Sequence, residues 1–421
     1  MDRAQKVLLI TYYWPPSGGA GVQRWLKLIK YLNQQGVQCT VITVDPDKAS
    51  YPVRDDSHLK DIPDTVRVLH TSTREPFALY KKVVRRKTIP YAGFANEDTS
   101  FPKKVIRFIR GNFFIPDARK GWNKYAYRKA AELLKSESFD AVITSSPPHS
   151  TQLVGLQLKK HFPIHWIADL RDPWTDIYYY EMMLHTLWAK RKDLKLEKSV
   201  LSGADDILVV STKIQALFAE KISDASKIHV LPNGFDPSDF DQKISERPPI
   251  FTLTYTGTLS ADYPINSLLR CLESLKDLNL ALRLCFVGTV APDIQAQLSP
   301  FNVEFKGYLP HDESVQHLMQ SDALLLIIPK VMNNEGILTG KLFEYLGAHK
   351  PILAFGPIHG DAAHIIHAAK AGQLFEYDDV NGPLQLLQEL IQGTKPFPMD
   401  SREINRYSRS EQAKFLLQLL K

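Results

Sequence analysis

Long apolar runs are missing from this chain. No stretch of about 18 or more apolar residues occurs, so no helix is expected to cross a membrane. Cysteine is scarce: Cys39, Cys271 and Cys285 lie scattered in or beside apolar stretches, without metal-ligand spacing, and fit reduced residues of a cytoplasmic protein. Internal repeats and low-complexity tracts are lacking too. The opening MDRAQKVLLITYY enters a strand-like run at once, so no signal peptide is expected. What is present, 421 residues at 44% hydrophobic and 23% charged, suits two globular domains of ordinary size.

The formal charge of +6 hides an asymmetry. Residues 1–235 carry 36 Lys and Arg against 24 Asp and Glu, whereas residues 236–421 carry 16 against 22. The basic excess thickens between Lys81 and Lys135. Such an excess suits nucleic acid or an anionic membrane surface. Two segments, Lys81–Lys87 and Lys103–Phe114, interleave bases with apolar and aromatic residues. On a helix the second places Val105, Phe108 and Ile109 on one face, an interfacial pattern that favours the membrane over nucleic acid. The alternative is a core-packed helix with a basic outer face.

Short β-rich runs alternate with longer amphipathic segments. Val7–Tyr12, Gln38–Val44, Val66–His70, Ala141–Ser145, His165–Leu170, Asp206–Val210 and Ile228–Leu231 read as strands, with helical patterns such as Val22–Gln35 and Ser150–His161 between them. Near-continuous apolar strands with helical crossovers predict a parallel, doubly wound α/β sheet. A second series runs through Thr252–Thr256, Arg283–Val287, Val303–Gly307, Ala323–Ile328, Ile352–Phe355 and Gln373–Tyr377. The expected division is a first domain at 1–235, a linker at 236–249, a second domain at 250–395 and a C-terminal helical segment at 396–421 that returns to the first domain. Two such domains in tandem place a ligand cleft between them, outside the carboxyl ends of the strands.

The most informative stretch is Thr339-Gly340-Lys341-Leu342-Phe343-Glu344. A glycine and a lysine open an apolar helix, and the helix N-terminus offers unpaired N–H groups and partial positive charge to a phosphate or diphosphate. Glu344, one turn in, suits two vicinal hydroxyls such as those of a ribose. Other candidates follow strands. The loop after the first strand carries Gly18 and Gly19, which permit close backbone approach but lack the dinucleotide fingerprint spacing. Asp169, Arg171 and Asp172 follow another strand, with Arg171 a planar fork for phosphate and the acids orienting it or binding hydroxyls. An Arg–Asp pair closing a loop is the plainer reading. His149 is an acceptor-contact candidate beside Ser150, a helix cap. Gly257 and Thr258 end the second domain's first strand, where amides suit a phosphate. Glu335 and Gly336 sit on a loop before the opening stretch, Glu335 within reach of sugar hydroxyls. Pro232-Asn233-Gly234-Phe235-Asp236 is a turn signal and, on spacing, a hinge.

Together these residues resemble the large retaining glycosyltransferase family of the GT-B fold known as family 4. The resemblance spans nearly the whole chain: the Gly-rich first loop, the Pro-Asn-Gly-Phe-Asp junction, and Gly340 to Leu346 with Gly347 and Lys350-Pro351. It implies two Rossmann-like domains, a nucleotide-diphospho-sugar held mainly by the second, and a sugar or lipid-linked acceptor held mainly by the first. It implies no metal and no other cofactor, and a hexosyltransferase-type enzyme of cell-surface polysaccharide or glycolipid synthesis; the basic first domain adds the expectation of a cytoplasmic protein, peripheral on the inner membrane face. Asn233 joins the substrate-binding candidates through the junction motif. Glu344 matches the family's second glutamate, implying ribose contacts. The first glutamate's position is Gly336 here, with Glu335 one residue further away. The basic pair common after the second domain's first strand is missing from Thr258-Leu259-Ser260-Ala261-Asp262-Tyr263-Pro264, which leaves Lys341 and Arg171, with helix N-terminal amides, to meet the diphosphate charge. Where relatives often carry His-Asp, this chain has Arg171-Asp172. Arg171, Asp172 and Lys341 are therefore the expected catalytic residues. A nucleotide-sugar epimerase of similar shape and a non-catalytic nucleotide-sugar-binding protein are the alternatives.

Overall fold

A computed structural model describes residues 4–75, 101–242 and 248–420. The chain divides into two compact units. Residues 1–231 with 413–421 form the first, and residues 232–412 the second. The basic segment Lys81–Lys87 lies outside the described residues.

In the first unit seven parallel strands, β1 (Lys6–Thr11), β2 (Gln38–Val44), β3 (Arg67–Thr71), β4 (Ala141–Ser146), β5 (Trp166–Leu170), β6 (Asp206–Val209) and β7 (Ile228–Val230), stand in the order β3-β2-β1-β4-β5-β6-β7. The helices are α1 (Ala20–Gln34), α2 (Phe101–Phe113), α3 (Asn123–Ser136), α4 (Ser150–His161), α5 (Leu187–Gly203) and α6 (Thr212–Ala219). Alternate residues of each strand enter different cores: Leu8, Ile10 and Val142 join Trp122, Trp166 and α4, while Val7, Leu9 and Ile143 join Trp25, Leu28 and Ile29 of α1. Both faces are covered, which is why these strands read as continuous apolar runs instead of alternating ones.

The second unit repeats the plan with β8 (Thr252–Thr256), β9 (Arg283–Val287), β10 (Val303–Gly307), β11 (Ala323–Ile327), β12 (Ile352–Phe355) and β13 (Gly372–Phe375), all parallel, in the order β10-β9-β8-β11-β12-β13. Its helices are α7 (Asn266–Asp277), α8 (Pro292–Leu298), α9 (His311–Gln320), α10 (Gly340–Gly347), α11 (Asp361–Ala368), α12 (Asn381–Ile391) and α13 (Ser401–Asn405). The expected pair of doubly wound sheets is thus present. Each reverses strand order once, between β1 and β4 and between β8 and β11, and ligands of such sheets sit outside the strand ends at that reversal.

The boundaries differ from the sequence reading. Phe235 and Asp236 are buried, Phe235 stacks edge-on with Phe240 at 5.9 Å, and both rings press on Gly347 of α10. The segment read as the start of a linker is therefore folded onto the second unit. The last helix, α14 (Arg409–Leu419), begins in that unit, while Ala413, Leu416 and Leu420 are buried in the first unit's core beside Trp14 and Leu28.

Gly155 shows how closely α4 lies on β5. A methyl group there would sit 2.2 Å from Trp166 Nε1, and the indole is held by donation to Thr144 Oγ1 at 2.8 Å. Gly155→Ala is expected to destabilise the protein by about 1–3 kcal/mol through overpacking, measured as a lowered denaturant midpoint with an unchanged slope.

Candidate functional site

Each unit gathers polar side chains where its strand order reverses. In the second unit β11 pairs β8 only at Ala323–Leu253 and Leu324–Thr254. Past that point the Tyr345 hydroxyl of α10 fills the gap. It accepts Thr256 N–H at 3.0 Å and donates to Leu325 O at 3.1 Å. This clamp fixes the helix whose first turn carries Thr339, Gly340 and Lys341.

Thr339 is the N-cap of α10, yet its side chain makes no capping bond, and its buried Oγ1 has no partner among the described residues. The Lys341 side chain runs over Gly257, where φ is +91° and a Cβ would stand 2.7 Å from Lys341 Cε. Glycine is required there twice over, for the dihedral and for the space. Lys341 Nζ donates to the Tyr255 hydroxyl, lies 4.2 Å from the Tyr255 ring centroid, and is 3.5 Å from Thr258 O. Burial pushes the lysine down to about 7, against a smaller opposing pull from Glu344. Gly257 N–H donates to Val287 O at 2.7 Å, so this glycine makes room for the lysine instead of offering its amide to a phosphate.

Glu344, one turn further along, is raised above the usual carboxylate range, chiefly by burial. His311, the first residue of α9, stands between it and Asp239: Nδ1 is 4.0 Å from Glu344 Oε1, and Nε2 is 2.9 Å from Asp239 Oδ2. Tyr255, His311 and Asp239 were not foreseen from the sequence. Each is distant in the chain from the residue it meets, and none carries a local signal.

Glu335 is exposed on a single turn of 3-10 helix (Asn334–Gly336), and among the described residues no group donates a hydrogen bond to its carboxylate; Gly336 is buried. Asn233 is the second residue of the second unit, its carbonyl accepting from Gln412 Nε2 at 3.2 Å.

In the first unit the Gly-rich loop is pinned to its own chain. Gly18 N–H donates to Val53 O at 2.9 Å, and a Cβ on Gly18 would stand 3.0 Å from Val53 Cγ1. The close approach that Gly18 allows is therefore to residues 53–55 and not to a ligand. Gly19, at φ +94°, makes the entry to α1.

Asp169 also proves to be internal. Its fully buried carboxylate accepts Arg24 NH2 at 2.8 Å, Trp25 Nε1 at 2.6 Å and Ser145 Oγ at 2.7 Å. It ties α1 to β4 and β5, and the role in substrate binding read from the sequence is withdrawn.

Arg171 and His149 remain together at the strand ends. Arg171 Nε donates to Ser146 O at 2.8 Å, and its guanidinium lies over the first turn of α1, where a Cβ on Gly21 would meet NH1 at 3.1 Å. His149 stacks on Trp174 with ring centroids 4.9 Å apart, and its buried Nδ1 has no partner among the described residues. Burial, with Arg171 adding to it, pushes the imidazole down to about 3, so it is neutral at physiological pH. Asp172 is raised, first by burial. Two buried acids of α5 hold this loop from beneath: Asp193 accepts Trp174 Nε1 at 2.8 Å, and Glu197 accepts Thr175 Oγ1 at 2.6 Å and Lys221 Nζ at 2.7 Å.

A family model described as Glycosyltransferase Family 4 matches residues 18–239. No curated protein matches the sequence. Among solved structures, sucrose-phosphate synthase from Thermosynechococcus elongatus is 15% identical with a TM-score of 0.61, covering 99% of this chain and 98% of that one. HepE from Anabaena in complex with UDP-glucose is 12% identical with a TM-score of 0.61, covering 99% of both chains. The lipopolysaccharide outer core galactosyltransferase WaaB is 16% identical with a TM-score of 0.57, covering 98% of both. At these identities the likeness shows the fold.

Two substitutions test the framework beneath these side chains. Asp169→Ala removes the buried carboxylate that pairs with Arg24 and accepts from Trp25 and Ser145, and a loss of about 3–5 kcal/mol is expected in equilibrium denaturation. Tyr345→Phe leaves a buried N–H and C=O unmatched at the strand reversal, with an expected loss of about 1–3 kcal/mol.

Proposed function

The chain belongs to glycosyltransferase family 4, and on that premise we propose that it transfers a sugar, with retention of configuration, from a nucleotide-diphospho-sugar to a hydroxyl acceptor. The observation that carries the donor assignment is the cluster at the start of α10: an amine under Tyr255, the unpartnered Thr339 Oγ1, and the helix N-terminus beside them. A diphosphate matches all three. Glu344, one turn on, accepts hydrogen bonds from the ribose hydroxyls. HepE, of the same fold, was solved with UDP-glucose, which supports a donor of this class.

The leaving nucleoside diphosphate gathers charge as the glycosidic bond breaks, so stabilising that charge is the principal catalytic demand. Lys341 supplies a cation at the point where a diphosphate would lie. Acceptor binding is assigned to the first unit, with Gly19 and His149 as contacts and Asp172 facing the acceptor hydroxyl. Arg171 is assigned to an anionic group of a substrate. A neutral His149 accepts or donates one hydrogen bond without drawing the leaving group's charge. A lipid-linked or growing saccharide is the acceptor class this reading favours.

The lowered lysine dictates a pH signature. At pH 6 Lys341 is mostly cationic and at pH 8 mostly neutral. A diphosphate binds the cationic form, so affinity falls as pH rises above about 7, by up to roughly tenfold per unit, with proton uptake on binding. On the acid side, affinity rises as Glu344 ionises. Calorimetric titration of UDP, GDP, ADP and TDP in buffers of differing ionisation enthalpy measures both effects and identifies the base. Lys341→Ala is expected to weaken binding roughly ten- to hundredfold, and Lys341→Arg to remove the alkaline fall. Unaltered nucleoside diphosphate binding in both Lys341→Ala and Glu344→Ala would refute the donor assignment.

A further inference from the structure

Surface helices ordinarily turn their apolar stripe to the core. Helix α2 leaves its stripe largely exposed. Val105, Ile106, Phe108, Ile109 and Phe113 are 36–67% exposed, whereas the residues it buries are Gly111 and Asn112. Asn112 makes the inward contact: Nδ2 donates to Leu184 O at 3.0 Å and Oδ1 accepts Thr186 N–H at 2.7 Å. A methyl on Gly111 would stand 2.4 Å from Met183 O, so the approach is close. That contact brings a second apolar ledge alongside the first, made of Met182, Leu184, Leu187 and Trp188, with Leu187 73% and Trp188 62% exposed. The sequence reading of α2 gave its stripe; the structure adds the ledge and shows that both point outward.

Cations surround the apolar surface. Lys104 lies on α2, and Arg191, Lys192 and Lys195 on α5, all exposed. Lys192 Nζ sits 4.8 Å from the Trp188 ring centroid. Within 104–113 and 181–195 the one exposed acid, Glu181, is paired with Lys190 at 2.6 Å. An apolar surface with a basic collar matches an anionic lipid surface: aromatic and aliphatic groups enter the acyl boundary, while lysine and arginine stems extend to the phosphates. A second copy of the same face would set cation against cation. Among the described residues no helix is long and apolar enough to cross a membrane, so the contact would lie in the interface plane.

We propose that α2 and the Met182–Trp188 ledge form one docking face for an anionic lipid bilayer. The proposal does not rest on the donor assignment, and its test uses no donor. Full-length protein is floated with vesicles of phosphatidylcholine alone and of phosphatidylcholine with phosphatidylglycerol. Binding is expected to the mixed vesicles only, and to fall with added salt. The double variant Phe113→Glu with Trp188→Glu should lower vesicle affinity about tenfold or more. Leu278→Glu, at an exposed apolar position of the second unit, should not alter it. Unchanged melting temperatures in these variants confirm folding. Absence of flotation, equal flotation of the double variant, or wild-type dimers in analytical ultracentrifugation that the double variant dissolves would each overturn the proposal, the last by making the face a self-association surface.

Discussion

One phenolic oxygen holds the second unit's chemistry in place. Where β8 and β11 part, their backbone groups lose each other as partners, and a buried N–H or C=O without a partner is costly. Tyr345 meets both, accepting from Thr256 and donating to Leu325. The strands are thereby free to diverge, and the helix that carries the tyrosine is locked at the divergence. Its first turn then stands beside Gly257 with the lysine laid across it. The sheet reversal parts the two strands, and the helix that bridges them also brings the lysine and glutamate.

What was legible in the sequence was what is local. Strands covered on both faces announce themselves as apolar runs, so the two sheets were read strand for strand, with most ends within a residue or two. The α10 stretch was legible because cap, lysine and glutamate lie within six positions. Asp169 was misread because its partners Arg24 and Trp25 lie more than a hundred residues away, and an acid near the end of a strand carries no mark of that pairing. His311 and Asp239 were invisible for the same reason, 72 residues apart. Periodicity located the stripe on α2 but not the direction it faces, because a period of 3.6 is the same for a helix turned inward or outward.

Both units keep ionisable groups out of water, for different ends. In the first, Arg24 with Asp169 and Lys221 with Glu197 are paired and hydrogen-bonded, and they fix loops in position. Groups treated this way are structural. In the second, Lys341 and Glu344 are each shifted toward the neutral form by burial. Their mutual attraction is outweighed by desolvation, which leaves each able to gain from a charged or hydroxyl-bearing ligand.

The path of the chain bears on how the protein is made. The first unit's core includes Ala413, Leu416 and Leu420, which follow the whole of the second unit in the chain and so leave the ribosome after it. Until they arrive, apolar surface around Trp14, Trp25 and Leu28 has no cover, although its own helix and strands were synthesised hundreds of residues earlier. Domains ordinarily complete themselves in order of synthesis. Here the second unit has every residue it needs first, and the amino-terminal unit finishes last.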